Sequence, residues 1–237
     1  MTLANGALDL CLIGPLYEDT IIQLNELNLG ETNKFVSHET RKGGMYNVSR
    51  ANLDGIGTTC FPIGKKKALI LSEQNKSRRT SIVKDTDTSL DTLNGALPTI
   101  FDWVHIMYLD DLNYDLQVEN AEVPVSVDFC TLSGRDKYVD IINSCEIVFD
   151  SRERKDLYAN IITATPIILH DELGCECIIS GKARYESQTA FVEGLHVNGA
   201  GDIFSAIFIR EYNSEGIERA VAVTPTLTTA FILRNQK

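Results

Sequence analysis

Residues 198–209 read NGAGDIFSAIFI and join a glycine turn to the start of an apolar helix. Four large apolar residues share one face of that helix: Ile203, Phe204, Ile207 and Phe208. The first N–H groups of a helix lack intrahelical partners, and the helix dipole adds positive charge there, so such a turn attracts phosphate. Asp202 falls in the first turn, where a carboxylate can meet a substrate hydroxyl. A capped helix start without any ligand explains the same residues.

The charge of the chain limits its partners. The 237 residues carry a net charge of −11 at pH 7, which argues against nucleic acid or an anionic membrane surface as the main partner. An anionic small molecule stays compatible with this charge, because backbone N–H groups bind anions locally. The length of the chain predicts one domain with a small appendage.

The expected compartment follows from the N-terminus and the cysteines. No stretch has the length and apolarity of a membrane span, and residues 1–9 carry no basic run before an apolar stretch. We therefore expect a cytoplasmic protein whose six cysteines are reduced thiols. Cys175 and Cys177 would share one face of a strand. No metal site is predicted there, because the chain has no second close pair and no histidine at ligand spacing.

Apolar runs alternate with helix-like stretches along most of the chain. Buried strands are predicted at residues 8–13, 58–63, 103–109, 123–127, 147–149, 167–169 and 175–179, the first of them ended by Gly14 and Pro15. Helices are predicted at residues 43–55, 112–120, 135–143 and 151–163, and in a last stretch from residue 217 that Pro225 should kink or split. This alternation predicts an α/β fold with a mainly parallel sheet covered on both faces.

Two polar segments predict a small peripheral β element. Residues 21–29 and 34–37 have the pattern of short, half-exposed strands around a turn. Residues 68–71 and 80–83 have the same pattern within a segment rich in Lys, Arg, Ser and Thr. The β element would therefore comprise residues 20–40 and 65–90, approximately.

Three features stand where open α/β sheets bind ligands, beyond the carboxyl ends of their strands. Asp19 follows the first strand, and its carboxylate can accept hydrogen bonds from sugar hydroxyls. Gly43 and Gly44 open a helix that carries the side-chain amide of Asn47. The glycine turn before Asp202 is the third feature. Taken singly, the first also fits a surface acid and the second a flexible turn with a cap.

The order of these features resembles the PfkB carbohydrate kinase family, the ribokinase-like sugar and nucleoside kinases. In that family an early strand ends in a glycine with an Asp five residues on, as Gly14 and Asp19 do here. A Gly-Gly pair then opens a helix that carries an Asn, and Gly-Ala-Gly-Asp precedes an apolar helix near the C-terminus. Residues 43–57 and 199–209 match these two elements. The resemblance covers nearly the whole chain and implies a shortened, divergent member with a ribokinase-like fold.

The resemblance implies a phosphotransferase with an alcohol group as acceptor, which moves the γ-phosphate of ATP, bound with Mg²⁺, to a sugar or nucleoside. Asp202 would be the general base. Seven residues would bind the substrates: Gly199, Ala200 and Gly201 the transferring phosphate, and Asp19, Gly43, Gly44 and Asn47 the acceptor. Positioning and charge stabilisation dominate such a reaction. The β element would be a lid over the sugar. The oligomeric state stays open, with a homodimer through the lid as one arrangement.

The sequence departs from the family in three places. His196-Val197 stand where the family has Asp-Thr, and Lys65-Lys66-Lys67 replace a helical unit. The Asn-x-x-Glu element, which the family links to metal and phosphate handling, is not matched by residues 150–154, which read DSRER. These departures motivate a second hypothesis, a non-catalytic descendant that binds a sugar or nucleotide and acts through partners. A plain Rossmann-like nucleotide-binding domain is disfavoured, because no G-x-G-x-x-G follows the first strand.

Overall fold

The computed structural model of the protein describes residues 7–28, 30–73, 79–87, 96–112, 117–193 and 198–235. The strands along these residues are β1 (Leu8–Leu24), β2 (Phe35–Gly44), β3 (Ile56–Glu73), β4 (Arg79–Asp87), β5 (Trp103–Ile106), β6 (Val125–Asp128), β7 (Ile147–Ser151), β8 (Ile167–Asp171), β9 (Gly174–Ile179) and β10 (Lys182–Gln188). The α-helices are α1 (Met45–Ser49), α2 (Val139–Ser144), α3 (Ala200–Glu215) and α4 (Ile217–Asn235).

The strands form one sheet in the order β10-β9-β8-β7-β6-β5-β1-β3-β4, with β2 paired to β1 outside this path. Neighbours from β3 through β1 and β5 to β8 run parallel. The pairs at the ends of the sheet, together with β1 and β2, are antiparallel. The predicted α/β fold with a mainly parallel central sheet flanked by helices is therefore confirmed.

The core lies on both faces of the sheet. One face packs against α1, α3 and α4, and eight consecutive residues of α3 from Asp202 to Ile209 are buried. The other face is covered by α2 and by 3-10 turns at Leu109–Asp111, Val118–Asn120, Arg135–Tyr138 and Arg152–Tyr158. The start of α3 lies near the carboxyl ends of the parallel strands, where Tyr108 after β5 and His170 of β8 contact it and where α/β sheets bind ligands.

The predicted end of the first strand at Gly14 and Pro15 is wrong. β1 continues to Leu24 and includes part of the predicted strand at residues 21–29. Proline has no N–H for a strand ladder, but a bulge tolerates it. The register of β1 against β3 shifts between Gly14 and Leu16, so Pro15 sits at such an irregularity.

A four-stranded extension of the sheet, here called the β appendage, consists of residues 16–24, β2, residues 65–73 and β4. The predicted strands at residues 68–71 and 80–83 are present in it. The predicted burial of residues 58–63 is wrong, because only Ile63 among them is buried. Described pairing of β3 with β4 begins at Lys65, so the first part of β3 is an edge of the central sheet.

The helices on the N-terminal side of the chain are shorter than predicted. The helix expected at residues 43–55 is limited to the five residues of α1. Asn52 and Gly55 have positive φ of 46° and 73°, which no α-helix accommodates. The helix expected at 135–143 is present as a 3-10 turn at Arg135–Tyr138 that leads into α2, whereas the one expected at 151–163 is a 3-10 turn at Arg152–Tyr158. Of the stretch at 112–120, residues 113–116 lie outside the described residues.

Pro225 does not split the C-terminal helix, because α4 is continuous over 19 residues. Proline has no N–H to donate to the carbonyl four residues before it. The carbonyl of Val221 therefore needs another donor. The Cys175 thiol of β9 donates to that carbonyl at 3.6 Å, and the Ser187 hydroxyl donates to the Ala222 carbonyl at 3.2 Å. Cys175 and Cys177 both face this side of the sheet, as predicted.

All six cysteines are free thiols. None of the helices in the described part of the chain has both the length and the apolarity needed to span a membrane.

Candidate active site

Asp202 lies at the centre of the candidate site, in the first turn of α3, and is only 3% exposed. The Asn47 amide, from α1, donates to Oδ2 of Asp202 at 2.7 Å. The Tyr108 hydroxyl, from just beyond β5, donates to Oδ1 at 2.5 Å. Each carboxylate oxygen therefore has a donor from a different element, so the side chain is held in one orientation.

The glycine turn before Asp202 is closely packed. Gly199 caps α3 with φ 81° and ψ 5°, a left-handed conformation that suits glycine. A Cβ at Gly199 would lie 2.6 Å from Cγ of Asn47, and one at Gly201 would lie 3.2 Å from Cε1 of His170. The structure thus leaves room for backbone alone at this helix N-terminus, which is the type of surface that binds phosphate.

Gly199→Ala is expected to destabilise the protein more than Gly181→Ala does. Gly181 also has a positive φ, 71°, but no atom lies within 4 Å of a Cβ placed there. Both variants incur the left-handed cost of about 1–2 kcal/mol. The Gly199 variant must also displace Asn47, which adds about 1 kcal/mol or more. Urea denaturation measures both free energies of unfolding, and equal losses would contradict the close packing of Asn47 on Gly199.

The β appendage meets the same site. Asp19 is 7% exposed on β1, and its carboxylate occupies the place of a Cβ on Gly43, so any side chain at position 43 would displace that carboxylate. Arg41 of β2 donates from Nη2 to the carbonyl of Asn198 at 3.1 Å. The appendage therefore contacts the turn that begins α3. The structure brings Asp19 to Gly43, and Asn47 to both Gly199 and Asp202, as one site requires.

Tyr108 is a residue of the candidate site that no sequence motif indicated. Its backbone has φ 58° and ψ 48°, so a tyrosine occupies a left-handed conformation directly after β5. Such strain concentrates at functional sites. Burial raises the pKa of Tyr108 well above its usual value, and the charge of Asp202 raises it further. The hydroxyl therefore stays protonated as a donor. Its place at the end of a parallel strand was the only sequence signal.

Asp128, at the end of β6, is a second residue that sequence analysis missed. It is 6% exposed. Burial raises the pKa of Asp128 well above its usual value, and the charges of Asp202 and Asp150 raise it further, while Arg154 opposes this rise. Ionised Asp128 is thus unfavourable in the folded protein.

Asp128→Asn is expected to stabilise the protein at pH 8 relative to wild type. A carboxyl whose pKa is raised by folding binds its proton more tightly in the folded state. Its contribution to stability is therefore complete below the unfolded pKa and is lost as the pH rises through the folded pKa. The asparagine variant avoids this loss, so its advantage should grow from pH 4 to pH 8. Thermal unfolding across this range measures the difference, with Asp140→Asn on the exposed side of α2 as control. An advantage that does not depend on pH would contradict this assignment.

The segment after β7, where the family has Asn-x-x-Glu, forms a buried charge network. Arg135 is fully buried and contacts Oδ2 of Asp110 at 3.1 Å through Nη1 and Oδ2 of Asp150 at 2.7 Å through Nη2. Arg154 also pairs with Asp150 and donates to the Phe129 carbonyl at 2.9 Å. Asp150 and Arg154 thus belong to a structural network, while Arg152 pairs with Asp171 at 3.4 Å.

The described residues contain no group of three or more His, Cys, Asp or Glu side chains that could hold a metal ion. The surface that fits a donor phosphate is the start of α3, with the His170 ring beneath Gly201 and stacked on Phe204 at 4.5 Å. His196 and Val197 lie outside the described residues.

The chain matches solved structures but no family model and no curated sequence. No protein-family model matches the chain. No curated protein matches it in sequence either. Solved structures, however, match its fold over nearly its whole length. Adenosine kinase from Sinorhizobium meliloti superposes with a TM-score of 0.67 at 11% identity, covering 94% of this chain and 93% of that one.

Two further structures show the same similarity. Burkholderia thailandensis nucleoside kinase in complex with inosine has a TM-score of 0.65 at 10% identity, with 93% of this chain and 89% of that one covered. Ribokinase from Cryptococcus neoformans in complex with ADP has a TM-score of 0.60 at 11% identity, with 92% of each chain covered. Identities this low establish the fold alone: the chain has the ribokinase-like fold of the sugar and nucleoside kinases.

Proposed function

We propose that the protein is an ATP-dependent kinase that transfers the γ-phosphate to a hydroxyl of a sugar or nucleoside, with Asp202 as general base. The main support for this proposal is the position of Asp202, a buried carboxylate in the first turn of α3, close to the left-handed Gly199. A base and an anion-binding helix start are thereby adjacent. Phosphoryl transfer needs both, because the acceptor loses a proton while negative charge develops on phosphate oxygens.

The roles of the other residues follow from their places. The backbone of Gly199, Ala200 and Gly201 would hold the transferring phosphate, and Asp19 with Gly43 and Gly44 would hold the acceptor. Asn47 would orient Asp202 as well as the acceptor, because its amide already bonds that carboxylate. The β appendage would act as the lid over the acceptor.

In the reaction, Asp202 takes the proton of the acceptor hydroxyl while the hydroxyl oxygen forms a bond to the γ-phosphorus. The bond from phosphorus to the β,γ-bridging oxygen breaks, and ADP leaves with that electron pair. Mg²⁺ would arrive with ATP and neutralise its phosphate charge. Two proteins of similar fold are in complex with ADP and with inosine, respectively. These complexes support a nucleotide as phosphate donor and a hydroxylated acceptor of about the size of inosine.

The test is ADP formation by the purified protein with ATP, Mg²⁺ and a panel of sugars and nucleosides. We expect ADP formation above the level without acceptor for at least one compound, together with a phosphorylated product in the mass spectrum. Omission of Mg²⁺ should abolish it. Absence of product from every acceptor, while calorimetry detects sugar or nucleotide binding, would reject the kinase in favour of the second candidate.

That second candidate is a non-catalytic protein that binds a sugar or nucleotide and acts through partners. It is favoured by the end of β7, where Asp150 is neutralised by Arg135 and Arg154 within a structural network. A carboxylate bound in this way is not available for metal or phosphate handling. Detectable Mg²⁺-dependent phosphorylation removes this candidate.

We further propose that the protein forms a homodimer through the β appendage. Four large apolar residues are exposed on its outer strands: Phe35 at 63%, Val36 at 47%, Ile82 at 63% and Val83 at 43%. Exposed apolar edge strands favour pairing with another chain. Sedimentation velocity should show a dimer that becomes a monomer when Phe35→Glu and Ile82→Lys are combined. Ile162→Lys, at a more exposed site outside the appendage (83%), is the control. A monomeric wild type would reject this assembly.

A further inference from the structure

Tyr108 stands between the β appendage and the proposed base. The Tyr17 ring of β1 meets the Tyr108 ring edge to face, with centroids 5.5 Å apart. A Cβ at Gly44 would lie 3.1 Å from Cδ2 of Tyr17 and 3.5 Å from Cε2 of Tyr108. Gly44 has φ 62°, so its lack of a side chain both permits the turn and admits the two rings. The Tyr108 ring is therefore confined, and its hydroxyl is confined with it at Asp202.

The hydroxyl of Tyr108 acts on the charge of Asp202. A hydrogen bond donated to a carboxylate favours its ionised form. Bonds to a charged group are worth more than bonds between neutral groups, about 1.5–3 kcal/mol. The charged or titratable groups that act on the pair include Asp128, at the end of β6, and Cys130. The negative charges of Asp128 and Asp202 disfavour each other, so a donor bonded to Asp202 favours Asp202 as the ionised member of the two.

We propose that Tyr108 is a positioning residue for the phosphoryl transfer: its hydroxyl fixes the Asp202 carboxylate against the Asn47 amide and keeps it ionised at lower pH. The role of Tyr108 in phosphoryl transfer rests on the proposed function. The effect of Tyr108 on the protonation of Asp202 does not require that the protein turn over a substrate.

The kinetic test compares Tyr108→Phe with Tyr17→Phe. Each variant loses one hydroxyl, but the Tyr17 hydroxyl donates to Asp111, whereas the Tyr108 hydroxyl donates to Asp202. Tyr108→Phe should lower kcat by about tenfold or more and move the acid limb of the pH profile up by about one unit, with the acceptor KM little changed. Tyr17→Phe should leave the acid limb in place. The proposal would be overturned if Tyr108→Phe raised KM and left kcat unchanged. It would also be overturned if the acid limb of the pH profile lay at the same pH in both variants.

A second measurement separates this proposal from the kinase assignment. The Asp202 carboxyl carbon, labelled with ¹³C and identified by its absence in Asp202→Asn, is followed by NMR as the pH is lowered. Its protonation midpoint should rise in Tyr108→Phe and stay in place in Tyr17→Phe. If wild type turns over no acceptor, this shift still supports the role of Tyr108, and its absence overturns it.

Should Tyr108→Phe fail to fold, Tyr108→Asn replaces it, because asparagine tolerates a left-handed backbone and its amide is too short to take the place of the hydroxyl. The same rise of the midpoint is expected, and an unchanged midpoint would reject the proposal.

Discussion

Asp202→Asn is expected to lower kcat by a factor of about 10²–10⁴, the range that a general base contributes. Asparagine keeps the shape of the side chain and can still accept a hydrogen bond from Tyr108, but it cannot accept a proton from the acceptor. In the proposed function the substrates are bound by the backbone of the glycine turn and by the β appendage, so their affinities should change much less. Steady-state kinetics with the acceptor identified in the ADP assay measures both quantities.

The control for Asp202→Asn removes a carboxylate from the first turn of another helix. Glu218 has that position in α4 and lies away from the site, so Glu218→Gln should leave kcat unchanged. Thermal unfolding confirms that both variants are folded. Equal turnover by wild type and Asp202→Asn would reject Asp202 as the base, even if the protein proves to be a kinase.

Arg135→Met is expected to lower the free energy of unfolding by about 3–5 kcal/mol at pH 7, the cost of breaking a buried ion pair. Burial alone would lower the pKa of Arg135, but the charge of Asp150 and its hydrogen bond raise it, so the guanidinium stays charged. It donates to both Asp110 and Asp150. Methionine fills much of the volume but leaves two carboxylates without their shared cation. Urea denaturation measures the loss.

Arg219→Met is the matched control, because its guanidinium forms an exposed pair with Glu215 at 3.9 Å on the surface of α3 and α4. Exposed pairs contribute about 0–1 kcal/mol, so this variant should unfold almost as wild type does. Similar losses in the two variants would show that the buried network around Arg135 stabilises no more than a surface pair.

The site was largely predictable from local patterns. Gly199 and Asp202 stand directly before a periodic apolar run, and that run is a buried helix whose start is held at the sheet. Such features are encoded within a few residues, where periodicity and glycine placement are informative. The contact of Asp19 with Gly43 was not predicted, because the antiparallel pairing of β1 with β2 produces it, whereas the sequence placed Asp19 beyond a strand and Gly43 at a helix start.

What could not be predicted depends on contacts between distant segments. The left-handed backbone of Tyr108 has no local signal, because tyrosine rarely adopts it and only the surrounding rings and Asp202 favour it here. Arg135 has the sequence pattern of a surface residue, and its burial is stabilised by carboxylates 15 and 25 residues away in the chain. Pro15 predicts the end of a strand, but β1 continues past it because β1 pairs with β3 on both sides of Pro15.

The continuity of β1 and β3 determines how the β appendage can move. These strands of 17 and 18 residues run paired from the central sheet into the appendage. No flexible linker joins the two parts along these described strands, so a displacement of the appendage must bend a hydrogen-bonded ladder. Such motion is elastic and small in amplitude, and compliance is greatest at Pro15, which contributes no N–H to that ladder. In the proposed function, entry of an acceptor under the appendage would therefore work against the resistance of this ladder to bending.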